Sequence, residues 1–409
     1  MFMEEKKIKT FAELILRLGV NVQKGQPVLI NCPVEKAEIG RIFAEKAYEV
    51  GASYVKIKYG DEKLARINYL HAAEEVLCDV PPSAVAEKLE LLERGYCYVS
   101  IVAEDPNILK GLDEKKIANV NKAFSKANKK FHDGVMNNAI RWCVVSVPSE
   151  AWAKEVFPDA DDPQETLWEA IAKSVRLYAA DPVEEWRKHI ATLNRRAEFL
   201  NENDFDYLHY TSANGTDLKV GLAENHRWLA AEEVGQDGVK FIANMPTEEV
   251  FTAPHRLRVD GVVKNALPLV ENGNVIDGFS LTFKEGKVAD FSAEKGYETL
   301  KGILETDEGA THIGEVALIG KNSPIAQSKT LFYNTLFDEN ASCHLALGKA
   351  YPTTIFGGDK MSEEELKAHG ANDSLTHVDF MIGTEDLSVT GVKKNGEKVE
   401  LFKDGEWTI

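Results

Sequence analysis

Short apolar runs alternate with amphipathic stretches over the first half of this chain. Val28-Leu29-Ile30 reads as a strand. Ile39, Phe43, Ala47 and Val50 then fall on one helical stripe that stops at Gly51, and Tyr54-Val55-Lys56-Ile57 reads as the next strand. Two further apolar runs, 96–102 and 142–147, flank a lysine-rich helical stretch at 114–130. Such alternation predicts βαβ units around a mostly parallel sheet. Two helices close the half. One starts at Asp162-Pro163, with Glu165 placed to complete a capping box. The other starts at Asp181-Pro182 and carries Trp186, Ile190, Leu193, Ala197 and Leu200 on one stripe.

The texture changes at 201–204, where we set the domain boundary. Residues 1–202 are expected to form an α/β domain and residues 203–409 a β-rich α+β domain. Turn pairs crowd the second half: Ser212-Ala-Asn-Gly, Glu271-Asn-Gly-Asn, Lys284-Glu-Gly-Lys and Lys394-Asn-Gly-Glu. Apolar–polar alternation at 281–284 and 399–402 predicts hairpins. Two helical stretches interrupt this pattern, a long one at 328–351 and a short one at 362–369. The sequence shows no solenoid-type repeat, low-complexity segment or long linker.

With 409 residues and 44% hydrophobic content, the chain can bury a large core divided between two domains. Its net charge of −18 argues against a nucleic-acid partner, whose phosphates demand a basic surface. Five cysteines (Cys32, Cys78, Cys97, Cys143 and Cys343) are scattered without CxxC spacing, which fits reduced, mostly buried thiols in a cytoplasmic protein. The opening Met-Phe-Met-Glu-Glu-Lys-Lys-Ile-Lys has no apolar signal core. No run approaches 18 apolar residues, so no membrane span is expected.

The candidate chemistry lies in the last third. His377 and Asp379 sit in Thr-His-Val-Asp-Phe-Met-Ile, where strand periodicity sends both side chains to one face. His344 and Tyr351 are two turns apart on one face if their segment is helical. Glu315 lies inside Ile-Gly-Glu-Val-Ala-Leu-Ile and Glu249 inside Pro-Thr-Glu-Glu-Val-Phe. A carboxylate in an apolar strand is costly to bury unless something pairs with it, and a metal ion is one common solution. These types and spacings suit a pair of divalent metals in a hydrolase. Other sites lack their marks: no GxGxxG follows the first strand, and GxxxxGK[ST], GxSxG and HExxH do not occur. Cys343 precedes His344, but neighbours point apart on a helix, so a cysteine nucleophile has little support.

Blander readings compete for each residue. A lone histidine is more often structural or superficial than a ligand, which covers His71, His132, His189, His209, His226, His312 and His369. His255 reads as structural, with substrate contact as the rival. For His377 and Asp379 the competing reading is a solvent-facing edge strand. For Glu315 it is a buried ion pair with Arg256, Arg258 or Lys321, and Tyr351 alone would be core packing.

Four motifs together resemble one family closely. They are Asn-Met-Pro-Thr-Glu-Glu-Val-Phe-Thr-Ala-Pro at 244–254, Ile-Gly-Glu-Val-Ala at 313–317, Leu-Phe-Asp-Glu-Asn-Ala-Ser-Cys-His-Leu-Ala-Leu-Gly-Lys-Ala-Tyr at 336–351, and Thr-His-Val-Asp-Phe-Met-Ile-Gly at 376–383. In this order they are similar to the thermophilic aminopeptidases of peptidase family M29. The resemblance is specific in the second half and architectural in the first, with no departure at a motif position. It implies a two-metal site with Glu249, Glu315, His344, His377 and Asp379 as ligands, Glu339 as a further one, and Glu315 as the bridge. Choosing Glu249 over Glu248 rests on the resemblance, because alternation cannot separate neighbours.

Family members use zinc, cobalt, manganese or magnesium; a mixed imidazole and carboxylate set suits the first three better than an all-oxygen magnesium site. In such a site the pKa of a water falls from ~16 toward ~7. Tyr351 would donate a hydrogen bond to the developing oxyanion, and Glu315 or Glu249 would carry a proton to the leaving amine. The resemblance further implies short peptides with a free amino terminus as substrates, and a homodimer enclosing the cavity. Two rivals remain at this stage: another two-metal hydrolase, an amidase or phosphoesterase, and a catalytically silent metal-binding protein.

Overall fold

The computed structural model describes residues 5–103, 105–271 and 273–409, and all structural statements below concern these. The first four residues, Glu104 and Asn272, the last of these in one expected turn, lie outside them. The chain forms two compact units, one of residues 1–188 with 232–246, the other of residues 189–231 with 247–409.

The first unit is built on a five-stranded sheet in the order Tyr54–Gly60, Pro27–Pro33, Cys97–Val102, Trp142–Ser146, Asn244–Met245. Every pairing in it is parallel, as the strand–helix alternation predicts. Crossover helices cover the strands, because a parallel sheet is apolar on both faces and needs covering on both. Phe11, from the helix Glu5–Leu14, meets Phe43 of Ala37–Glu49 edge-on at 6.0 Å and Trp168 of Pro163–Ser174 at 5.7 Å. Asp162 caps the last of these helices by accepting from Glu165 N at 3.0 Å. In the long helix Pro182–Asn203, Trp186 belongs to this unit and Ile190, Leu193, Ala197 and Leu200 to the second; all five are at most 6% exposed.

Arg141 ties residues 232–246 into this unit. Its guanidinium is fully buried, donates to Val20 O at 2.8 Å, to Asn21 O and to Gln26 Oε1, and pairs with Asp237 at 3.1 Å. Arg141→Leu keeps the bulk but leaves those buried carbonyl acceptors without donors. Asp237 is half exposed and stays solvated, so the loss comes from those acceptors; we expect about 1–3 kcal/mol, read as a lowered urea midpoint.

The second unit is β-rich. Eight strands form an antiparallel sheet in the order Lys287–Ser292, Ser280–Lys284, Pro254–Lys264, Asp217–Leu222, Phe205–Thr211, Ser388–Lys393, Lys398–Lys403, Glu406–Trp407. The Ser212, Lys284 and Lys394 turns close its hairpins where sequence places them, and the short strands Leu269–Glu271 and Asn274–Ile276 pair antiparallel. A second antiparallel sheet has the order Val250–Thr252, Ile313–Leu318, His344–Gly348, His377–Met381.

One expectation fails here. The stretch 328–351 is not a long helix: it begins at the end of the short helix Pro324–Ser328 and holds the short helix Thr335–Asp338, a turn of 3-10 helix at Glu339–Ala341, and then the strand His344–Gly348. That strand lies inside the sheet with every residue buried. Burial on both faces erases the period-two alternation that marks a strand, leaving an apolar run that periodicity cannot distinguish from a buried helix.

Candidate metal centre

The four-stranded sheet builds the site by register. Ala346, on the strand His344–Gly348, stands opposite Glu315 on one side and Asp379 on the other, while Gly348 stands opposite His377 and Ala317 opposite His344. Cross-strand partners and residues two apart share a face. Glu315, His344, His377 and Asp379 therefore rise from the same face, and the small side chains of Ala346 and Gly348 leave room between them. Gly348 is required as glycine: its φ is +105°, and a Cβ there would come within 2.1 Å of Thr376 O. Glu249 enters from the end of the neighbouring strand Val250–Thr252.

The ligand candidates converge as two triads that share Glu315. In Glu249, Glu315 and His344, and again in Glu315, His377 and Asp379, one donor atom from each residue lies within 4.8 Å of the others. His344 Nε2 is 3.3 Å from Glu249 Oε2 and 3.4 Å from Glu315 Oε1. His377 Nε2 is 3.8 Å from the other Glu315 oxygen, Oε2, and 3.2 Å from Asp379 Oδ1. Each carboxylate oxygen of Glu315 thus faces a different histidine. All of these residues belong to the second unit.

Both imidazoles are oriented from behind. His344 Nδ1 is 2.9 Å from Glu339 O, and His377 Nδ1 is 2.7 Å from Lys349 O. A carbonyl can only accept, so each ring carries its proton on Nδ1 and aims Nε2 at the carboxylates. Metal-binding histidines are held in this way. Asp379 Oδ1 is buried and takes no hydrogen bond among the described residues, although His377 Nε2 and His344 Nε2 stand 3.2 and 3.9 Å away.

The electrostatics point the same way. Burial drives the Glu339 carboxyl well above the ordinary range, helped by the charges of Asp379 and Glu249. Burial also raises Glu315, against its bond with His344. For His377 burial works downward, but the Asp379 charge overcomes it and pushes the ring up to about 10. His344 is likewise held well above 6.5, with Glu249 and Glu315 outweighing burial. Glu315, Glu339 and both histidines are thus shifted toward their protonated forms, while Asp379, against its burial, is held below the ordinary range by the His377 charge. A divalent cation supplies the missing charge to the same nitrogen and oxygen atoms, so the donor set fits a metal.

The blander readings do not hold for these residues. His377–Met381 is an edge strand, yet Asp379 is only 9% exposed. None of the three cations proposed for Glu315 pairs with it: Arg256 lies 3.8 Å from Glu308, Arg258 bonds Asp206 at 2.8 Å, and Lys321 points to Glu385 O. Glu248 is turned toward His189, 3.5 Å from its Nε2, so Glu249 alone of the two reaches His344. Glu339 adjoins Asp379 and Glu249 but completes neither triad. Tyr351 lies just past the strand rather than on a helical face. Its ring meets that of His377 edge-on at 5.2 Å and that of Phe251 at 6.0 Å. His226 and His312 are buried with Nδ1 against backbone carbonyls, consistent with structural roles. His255 Nδ1 accepts from Leu257 N, a local turn contact.

Sequence reasoning missed three neighbours of the site. Asn340, Asn372 and Glu271 gave no pattern signal beyond, for Asn340, its place between Glu339 and His344. Asn372 Nδ2 holds Gly348 O at 2.6 Å and Gly309 O at 2.8 Å. Glu271 is a further carboxyl raised by burial and by the nearby Asp379.

Residues 4–407 match the family model for the thermophilic metalloproteases (M29). The chain belongs to this family. It is 47% identical to aminopeptidase 2 of Geobacillus stearothermophilus, over 99% of this chain and 98% of that protein. To aminopeptidase AmpS of Bacillus subtilis it is 43% identical over 99% of each. The solved structure of wild-type AmpT from Thermus thermophilus superposes with a TM-score of 0.92 at 37% identity, covering 99% of this chain and 100% of that one. The fold of the M29 metalloproteases is thus the fold of this chain, a parallel α/β sheet joined to a β-rich set.

Proposed function

We propose that this chain is a metal-dependent aminopeptidase that releases N-terminal residues from short peptides. Its catalytic work falls to the second half, residues 203–409 by the sequence boundary. Two divalent ions, of zinc, cobalt, manganese or magnesium, would be held by Glu249, Glu315, His344, His377 and Asp379, with Glu339 beside them. One observation carries the two-ion reading: the oxygens of Glu315 face different histidines, as a bridging carboxylate requires. When bound, the ions would polarise the scissile carbonyl and lower the pKa of a water nucleophile.

The remaining roles fall to the chain. His344 and His377, locked by the Glu339 and Lys349 carbonyls, keep the donor geometry fixed through turnover. Glu315 or Glu249 takes the proton of the attacking water and passes it to the leaving amine. Tyr351, braced by Phe251 and His377, offers its phenol to the oxyanion. The free α-amino group of the substrate is met by the same acidic cluster, which favours exopeptidase action. A phosphoesterase reading is weaker, because Arg256 and Arg258, the arginines nearest a motif, pair with acidic residues instead of forming a clamp.

We further propose a homodimer in the cytoplasm. Five cysteines without disulfides and a chain with no described helix long and apolar enough to cross a membrane support that compartment.

Chelation tests the reading. Dialysis against a chelator is expected to abolish hydrolysis of leucine anilide, and zinc, cobalt, manganese or magnesium to restore it to differing degrees. The N-acetylated anilide is expected to stay inert throughout. Equal cleavage of the acetylated substrate would overturn the exopeptidase assignment.

A further inference from the structure

Asn340 sits behind the cluster with its side chain wholly buried. Its Oδ1 accepts a 2.8 Å hydrogen bond from the backbone N–H of Glu248, the residue before Glu249 and 92 positions away in sequence. Its Nδ2 donates to Leu336 O at 3.0 Å and to Glu339 Oε1 at 3.3 Å. Its own carbonyl accepts from Ser323 Oγ at 3.2 Å, and that contact involves no side-chain atom of Asn340. One planar amide therefore holds both the backbone that delivers Glu249 and the carboxylate of Glu339. The opposite side of the same segment is also fixed: His189 Nε2 lies 2.9 Å from Thr247 O and 3.5 Å from Glu248 Oε2.

We propose that Asn340 is a positioning residue for the metal centre, clamping the Thr247–Glu249 segment to the Glu339 turn so that Glu249 and Glu339 face the ions at a fixed separation. The proposal rests on the reading of those two glutamates as ligands. Only asparagine does both jobs at this length, because the site needs an acceptor and a donor on one short side chain. Aspartate keeps the acceptor for Glu248 N–H, loses the donor to Glu339 and adds a further buried carboxylate. Leucine fills the volume and leaves the Glu248 N–H buried without an acceptor.

The test measures metal binding apart from turnover. Purified full-length Asn340→Asp, Asn340→Leu and Ser323→Ala proteins are titrated with zinc against a chromophoric chelator. The same proteins are then loaded with cobalt for d–d absorption spectra. Both Asn340 variants are expected to bind zinc on the order of 10–100-fold more weakly, the range found when a residue that orients a ligand is lost. They are also expected to show altered cobalt spectra. Ser323→Ala, which loosens the turn without touching the amide, is expected to keep the wild-type affinity and spectrum. Wild-type affinity and spectrum in both Asn340 variants overturn the proposal, as does a Ser323→Ala defect equal to theirs, since turn stability then accounts for everything. If Asn340→Leu does not fold, Asn340→Asp carries the comparison. Glu249→Gln and Glu339→Gln proteins run alongside: normal zinc affinity in both defeats the ligand reading, whereas weak binding there with normal Asn340 variants defeats this proposal alone.

Discussion

His377→Ala and Asp379→Ala are expected to lose bound metal and nearly all turnover while remaining folded. Each removes one donor from the triad these residues form with Glu315. Losing the Lewis acid forfeits several kcal/mol of transition-state stabilisation, and each 1.36 kcal/mol is a factor of ten, so a rate loss of about 10³ or more follows. The fold survives for a reason visible in the charges. Asp379 repels Glu315 and Glu339 but attracts His377, so in the metal-free chain its deletion relieves one interaction as it removes the other. His377→Ala costs more, because Lys349 O loses its imidazole donor, a net penalty of about 1 kcal/mol.

Two measurements check this. Elemental analysis of the purified variants counts ions per chain; two per chain in both would remove these residues from the ligand set. Thermal unfolding with and without added metal gives the second. The wild-type chain gains about 4 kcal/mol of stability from an ion at a thousand times its dissociation constant. A variant lacking the site shows no such gain, yet melts near the wild-type metal-free temperature.

Different parts of this architecture were visible in the sequence to different degrees, for physical reasons. In the first unit, stripes such as Ile39–Phe43–Ala47 and runs such as Val28-Leu29-Ile30 announce themselves, because helices there bury one face and strands are short and bounded by glycine. In the second, the Lys284 and Lys394 turns declare hairpins through their own backbone chemistry. The strand carrying His344 did not show itself. It is buried on both faces, and its leucine and alanine side chains suit a helix equally well. His377 and Asp379 were recognisable because period two keeps them on one face whatever surrounds them. Glu339, and the choice of Glu249 over Glu248, were reachable only through family resemblance, since neither sits in a periodic segment. The carbonyls of Glu339 and Lys349, which orient the histidines, carry no side-chain signal and emerge only when the strands are paired.

Tyr351→Phe separates chemistry from binding at the same site. The substitution keeps the aromatic ring, so the contacts with His377 and Phe251 persist and a packing role would be unaffected. Only the hydroxyl is lost. If the phenol serves the developing oxyanion, metal content and KM stay near wild type, because neither the ligands nor ground-state binding depends on it. Removing one such donor costs on the order of 10²–10³ in kcat, about 3–4 kcal/mol of barrier. Steady-state kinetics on leucine anilide, with metal analysis of the same samples, reads the two effects separately. A variant with full kcat takes the tyrosine out of the mechanism and leaves the ions alone to stabilise the oxyanion. One that loses metal instead makes the phenol part of the donor shell, and the oxyanion then needs another partner among the groups lining the cluster.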